Sequence, residues 1–97
     1  MVLGFSHVGL IVSDLEKSLR FYCYGLGLEK RKHRPDDGRG VEIVFLGAGS
    51  STLEIFYYSD PAKRDKPALG RLDHTAWYVD DMKATMARLA AEGATFR

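Results

Sequence analysis

His7-Val-Gly-Leu-Ile-Val-Ser-Asp-Leu-Glu-Lys-Ser-Leu-Arg-Phe-Tyr22 is written a second time in this chain, as His74-Thr-Ala-Trp-Tyr-Val-Asp-Asp-Met-Lys-Ala-Thr-Met-Ala-Arg-Leu89. His74 follows His7, Val79 follows Val12, Asp81 follows Asp14 and Leu89 follows Tyr22 by the same 67 positions. Apolar and punctuating residues keep step together, which marks a duplicated supersecondary unit. Each copy opens as a short β-branched strand and changes to a helical period at an acidic turn. The pattern is strand then helix, twice.

Working outward, Phe5 to Val12 reads as a strand with Phe5, His7, Gly9 and Ile11 on one face and Val8, Leu10 and Val12 on the other. Ser13 is expected to cap the first helix, with Glu16 completing a capping box. Leu15, Ser18, Leu19, Tyr22 and Cys23 form the helix stripe that packs on the sheet, and Gly25 and Gly27 end it. Leu28 to Arg34, crowded with Lys30, Arg31, Lys32 and Arg34, reads as an edge strand whose charge discourages aggregation. The functional reading of the same cations is a landing place for an anionic substrate tail. Arg39, in the loop that follows, is a further side chain within reach of a substrate.

Val41 to Leu46 and Thr52 to Tyr58 form a hairpin around Gly47 to Ser51. Glu54 is the odd residue of that hairpin, a carboxylate between Leu53 and Ile55, and a carboxylate there needs a partner. Residues 59–71 read as a linker. The second copy starts at Leu72, with Leu72, His74, Ala76 and Tyr78 on one face and Trp77 on the other. Asp80 is expected to cap its helix, whose stripe is Met82, Thr85, Met86, Leu89 and Ala90. Ala94 to Arg97 reads as the start of another strand.

The chain therefore reads as one α+β domain over residues 1–97. Residues 1–58 form a βαβββ module, and 72–97 form the truncated start of a second. One period after Glu54 falls at about position 121, so the repeat predicts that the intact protein continues by roughly 25–35 residues.

Composition narrows the function. A formal net charge of +1 gives no electrostatic support for nucleic acid or an acidic membrane. No apolar run approaches the ~20 residues of a membrane span, and the N-terminus lacks the pattern of a signal peptide. Cys23 is the one cysteine, so no intrachain disulfide forms, which fits a cytoplasmic protein. Cys23 itself reads as a small core hydrophobe rather than a nucleophile. His7, Glu54 and His74 carry the chemistry. Each stands mid-strand among apolar neighbours, and the repeat makes the two histidines equivalent. Two imidazoles and a carboxylate converging between paired modules suit a divalent ion, Zn²⁺, Ni²⁺, Mn²⁺ or Fe²⁺.

The first copy of the repeat, followed by Leu26-Gly-Leu28, resembles the vicinal oxygen chelate superfamily. That group includes glyoxalase I, extradiol dioxygenases, fosfomycin- and bleomycin-resistance proteins and methylmalonyl-CoA epimerase. The resemblance implies paired βαβββ modules forming a cup-shaped mixed sheet with a divalent metal inside and a homodimer as the assembled form. It implies His7 and His74 as first-strand ligands and Glu54 as the last-strand acid of the first module. Glyoxalase I uses an acid at the slot Glu54 fills, which makes the bacterial glyoxalase I the most similar member. The activity implied is a lyase or isomerase acting on a small molecule through an enediolate, with Glu54 and the second-module acid expected at about position 121 as equal candidates for the base. The alternatives are an extradiol-type dioxygenase, an epimerase, or a metal-free small-molecule-binding protein in which Phe56, Tyr58, Trp77 and Tyr78 line a cleft.

Overall fold

A computed structural model describes residues 6–64, 77 and 79–96. Four strands, β1 (Val8–Ile11), β2 (Glu29–Arg34), β3 (Val41–Ala48) and β4 (Ser51–Tyr58), make one sheet in the order β1-β4-β3-β2. β1 runs parallel to β4, and the other two pairs are antiparallel. Between β1 and β2 lies α1 (Leu15–Leu19), which opens into a π-helical segment, Arg20–Gly25. α2 (Pro61–Arg64) follows β4, and α3 (Met82–Ala91) is the second copy's helix. The mixed α+β class and the βαβββ order of the first module are as the sequence predicts.

One face of the sheet is the core. Val44, Leu46 and Ile55 are 0% exposed and Leu53 is 2% exposed, with Leu28 buried beside them. Val8, Leu10 and Val12 from β1 and its end, and Leu15, Leu19, Tyr22 and Cys23 from the helix, pack against this cluster. The period-2 alternation of β1 and the helix stripe thus meet on one side. Trp77 packs there too, and it is the repeat counterpart of Leu10, which packs on the same core.

The duplication is visible in the caps. Asp14 (φ −142°, ψ 102°) accepts a hydrogen bond from Lys17 N at 3.0 Å, and Asp81 (φ −141°, ψ 103°) accepts one from Ala84 N at 3.0 Å. These aspartates, rather than Ser13 and Asp80, are the N-caps. Each has extended backbone one residue before the helix, which places its carboxylate over the free N–H groups of the first turn. Asp14→Ala and Asp81→Ala are each expected to cost about 1 kcal/mol, measured by urea unfolding.

Other differences from the sequence reading have local causes. The first helix does not stay α-helical to its end: Leu26 N reaches back five residues to Phe21 O at 3.0 Å. Gly25 in this wider turn lies so close to α3 that a Cβ would sit 2.7 Å from Leu89 Cδ2. α3 docks along that line, so Thr85 and Leu89 are buried while Met82 (64%) and Met86 (37%) are exposed, against the expected stripe.

β3 and β4 run further than expected, through Ala48 and back from Ser51, because Gly49 (φ +58°) supplies the positive φ that a two-residue hairpin turn wants at its first central position. Within the expected linker, Pro61–Arg64 forms a helical turn, started by Pro61 and held by Asp60 accepting from Ala62 N at 3.0 Å. Ala94 to Phe96 is not a strand; among the described residues it has no neighbouring ladder to join. The rest of the linker and most of the expected strand from Leu72, His74 and Tyr78 included, lie outside the described residues.

A candidate metal centre on the open face of the sheet

The face opposite the core is built by the residues that alternate with it. On β4, Leu53 and Ile55 point into the core, so Thr52, Glu54, Phe56 and Tyr58 point away from it. On β3, Val44 and Leu46 go in, and Ile43, Phe45 and Gly47 go out. The register sets these side chains in rows. Glu54 lies between Gly9 of β1 and Phe45 of β3, and Phe56 lies between Ile11 and Ile43. Gly9 leaves room for its neighbour: a Cβ there would sit 3.2 Å from Phe56 Cε2.

His7 stands just before β1 on this open face. Its Nε2 is 3.0 Å from Glu54 Oε1, with side chains 39% and 15% exposed. Its Nδ1 is 2.8 Å from Ser6 Oγ, and its ring meets Phe45 edge-on at 6.1 Å between centroids. In the tautomer with Nδ1–H donating to Ser6 Oγ, Nε2 keeps its lone pair, the orientation an outer partner imposes on a metal-binding imidazole.

Both donors can reach one divalent ion: donors each about 2.1 Å from an ion and subtending roughly a right angle, as in an octahedral site, lie about 3 Å apart. The chemistry of the donors, one imidazole nitrogen and one carboxylate oxygen, suits Zn²⁺ or a neighbouring transition metal. Among the described residues no group of three or more His, Cys, Asp and Glu comes together to hold an ion. His74, the expected third ligand, lies outside the described residues. The structure thus brings two of the three sequence-derived residues together.

The remaining candidates separate clearly. Arg39 bonds Asp37 through Nε at 2.9 Å and Nη2 at 3.0 Å, so its guanidinium is engaged within its own loop. That bond holds the Asp37 carboxyl below its ordinary range. Burial pushes the Cys23 thiol up, against a smaller opposing pull from Lys30, which disfavours the thiolate. Phe56 and Tyr58 stack at 6.4 Å on the open face, whereas Trp77 belongs to the core side.

Sequence reasoning missed Phe45 and, although it named Arg31 among the cations of β2, the placement of that side chain. Phe45 braces His7, and the β3/β4 register is its only signal. Arg31 sits at a β-bulge between Lys30 and Lys32, which alternation alone cannot reveal.

Comparison with known proteins follows the same line. Residues 4–97 match the family model described as Glyoxalase/Bleomycin resistance protein/Dioxygenase superfamily. The chain is 32% identical to human mitochondrial methylmalonyl-CoA epimerase over 87% of its own length and 51% of the epimerase. It thus spans about half of that relative. The trypanothione-dependent glyoxalase I of Leishmania major superposes with a TM-score of 0.70 at 27% identity, covering 89% of this chain and 63% of that one. The Listeria monocytogenes fosfomycin resistance protein FosX, a complex with Mn(II), shares the fold at a TM-score of 0.75 and 21% identity, over 100% of this chain and 77% of that one.

Proposed function

Because this chain belongs to the Glyoxalase/Bleomycin resistance protein/Dioxygenase superfamily, we propose that it is a metal-dependent enzyme that moves a proton at a carbon beside a carbonyl, as a glyoxalase I-like lyase or isomerase does. The observation that carries the reading is His7 Nε2 and Glu54 Oε1 at 3.0 Å on the open face, a nitrogen and an oxygen donor aimed at one place. We assign His74 to the same centre through its place in the repeat.

A divalent ion held there would take two vicinal oxygens of the substrate and stabilise negative charge on them. Glu54 is the base. Its carboxylate takes the proton from the carbon, the C–H electron pair moves toward the carbonyl, and the proton is returned to the neighbouring carbon. His7, steadied by Ser6 and Phe45, fixes where Glu54 can reach. Phe45 on one side and Phe56 beyond the bare Gly9 on the other flank the carboxylate with apolar side chains.

A second reading, an epimerase, is favoured by the relatives named methylmalonyl-CoA epimerase, in human, bovine and mouse mitochondria. The proton abstraction is the same, except that a proton is then delivered to the opposite face of the carbon that lost one, by an acid other than Glu54. The working unit is proposed to be a homodimer, which light scattering at micromolar concentration would test; a stable monomer would contradict it. No helix among the described residues is long and apolar enough to cross a membrane.

Both readings are tested together. The protein is supplied in turn with Zn²⁺, Ni²⁺, Co²⁺ and Mn²⁺, and assayed with methylglyoxal plus glutathione and with methylmalonyl-CoA in D₂O. Formation of S-lactoylglutathione supports the first reading, and deuterium at the α-carbon without a new product supports the second. Neither outcome with any metal would overturn proton transfer and leave oxygen consumption with catechols, or ligand binding without turnover, as the remaining activities to measure.

A further inference from the structure

We propose that β2 supplies an oxyanion subsite beside the candidate metal centre, so that the substrate carries a carboxylate or phosphate on the side facing Arg31, Lys32 and Arg34. The inference rests on the reading of the open face as the substrate side.

In a regular strand Lys30, Lys32 and Arg34 would share one face, and Arg31 and His33 the other. The bulge between Lys30 and Lys32 breaks that alternation. Lys30 is opposite Leu46, on the core side, while Lys32 is opposite Phe45 and Arg34 opposite Ile43, both of the open face. Arg31, the extra residue, is turned to the open face as well: its guanidinium lies over Gly47, where a Cβ would come within 2.3 Å of Cζ. The bulge therefore gathers three cations on one side of the sheet.

Arg31 is held in place, since its Nη2 donates to Gly49 O at 2.8 Å, and this leaves its other N–H groups free to bind. Among the described residues no ion pair engages Arg31, Lys32 or Arg34. Glu29, opposite Gly47, is the one carboxylate of β2. His33, on the other face, is occupied by Glu42 at 2.5 Å.

The rows set the spacing. Gly47 is the diagonal neighbour of Glu54 across the β3/β4 ladder, roughly 7–8 Å away. A guanidinium over Gly47 thus faces the same space as Glu54 and binds a planar or tetrahedral oxyanion through two parallel N–H groups. Glycine at 47 is required for this: any side chain would expel the guanidinium.

The test uses three hydroxamates of equal length, which chelate a metal through two vicinal oxygens and differ in their tails: glutaric monohydroxamate, its phosphonate counterpart and the uncharged pentanohydroxamate. Calorimetry is run with Ni²⁺-loaded protein. Wild type is expected to prefer an anionic tail roughly five- to tenfold, and the preferred tail tells carboxylate from phosphate. The Arg31→Gln/Lys32→Gln double variant should erase the preference. Gly47→Ala, which displaces Arg31 without changing charge, should at least halve it. Binding of pentanohydroxamate should be unchanged in both. Equal affinity for charged and neutral tails in wild type would overturn the subsite.

If no hydroxamate binds, the metal reading fails, and the subsite is then decided in metal-free protein. A shift of the Arg31 Nε–H resonance on titration with glutarate, absent in Gly47→Ala, supports it, and no shift overturns it.

Discussion

Glu54→Gln is expected to lower turnover by about 10²–10⁴-fold, the range a positioned general base contributes. The change keeps the shape of the side chain, removes its basicity and weakens its hold on the ion, so turnover is compared at saturating metal. Glu54 lies on the face away from the core and pairs with His7 there, so the fold does not depend on its charge. The variant should therefore retain the circular dichroism and unfolding midpoint of wild type while failing to exchange the substrate's α-proton with solvent. Solvent deuterium incorporation, followed by NMR, isolates that step from product release. Exchange within tenfold of wild type would assign the base to another residue.

Ile55→Ala is expected to destabilise the protein by about 2–5 kcal/mol, the usual cost of emptying a buried aliphatic site. Ile55 is 0% exposed and stands in register with Leu10 on one side and Val44 on the other, so it ties β1 to the hairpin. A small domain has only ~5–15 kcal/mol to lose, so the midpoint in urea should fall sharply. Glu54 is the preceding residue on the same strand and faces the other way. Loosening Ile55 therefore also loosens the carboxylate's aim, and activity should fall before global unfolding is complete. A change under 1 kcal/mol would mean that the core is centred elsewhere.

The sequence carried this architecture because its strongest signal, the repeat, is a matter of spacing. Strand faces followed from alternation: with Leu53 and Ile55 apolar, Glu54 had to face away, and it does so beside His7. Features set by contacts between elements were harder to read. Gly25 against Leu89 directs how α3 docks, and with it the exposure of Met82 and Met86, but no local pattern encodes that contact. The caps were displaced by one residue because Ser13 and Asp14, like Asp80 and Asp81, are both good capping residues, and only backbone geometry chooses between them. The bulge at Arg31 was illegible for a related reason: it is a property of the pairing of β2 with β3, not of β2 alone.

The central claim is that His7, Glu54 and His74 hold one divalent ion, and equilibrium dialysis against Zn²⁺ or Ni²⁺ tests it most directly. Wild type should bind one ion per chain. His7→Ala, Glu54→Ala and His74→Ala should each weaken binding by well over tenfold, since loss of even an outer partner of a metal ligand has an effect of that size. Binding that is absent in wild type, or unchanged in all three variants, would contradict the account.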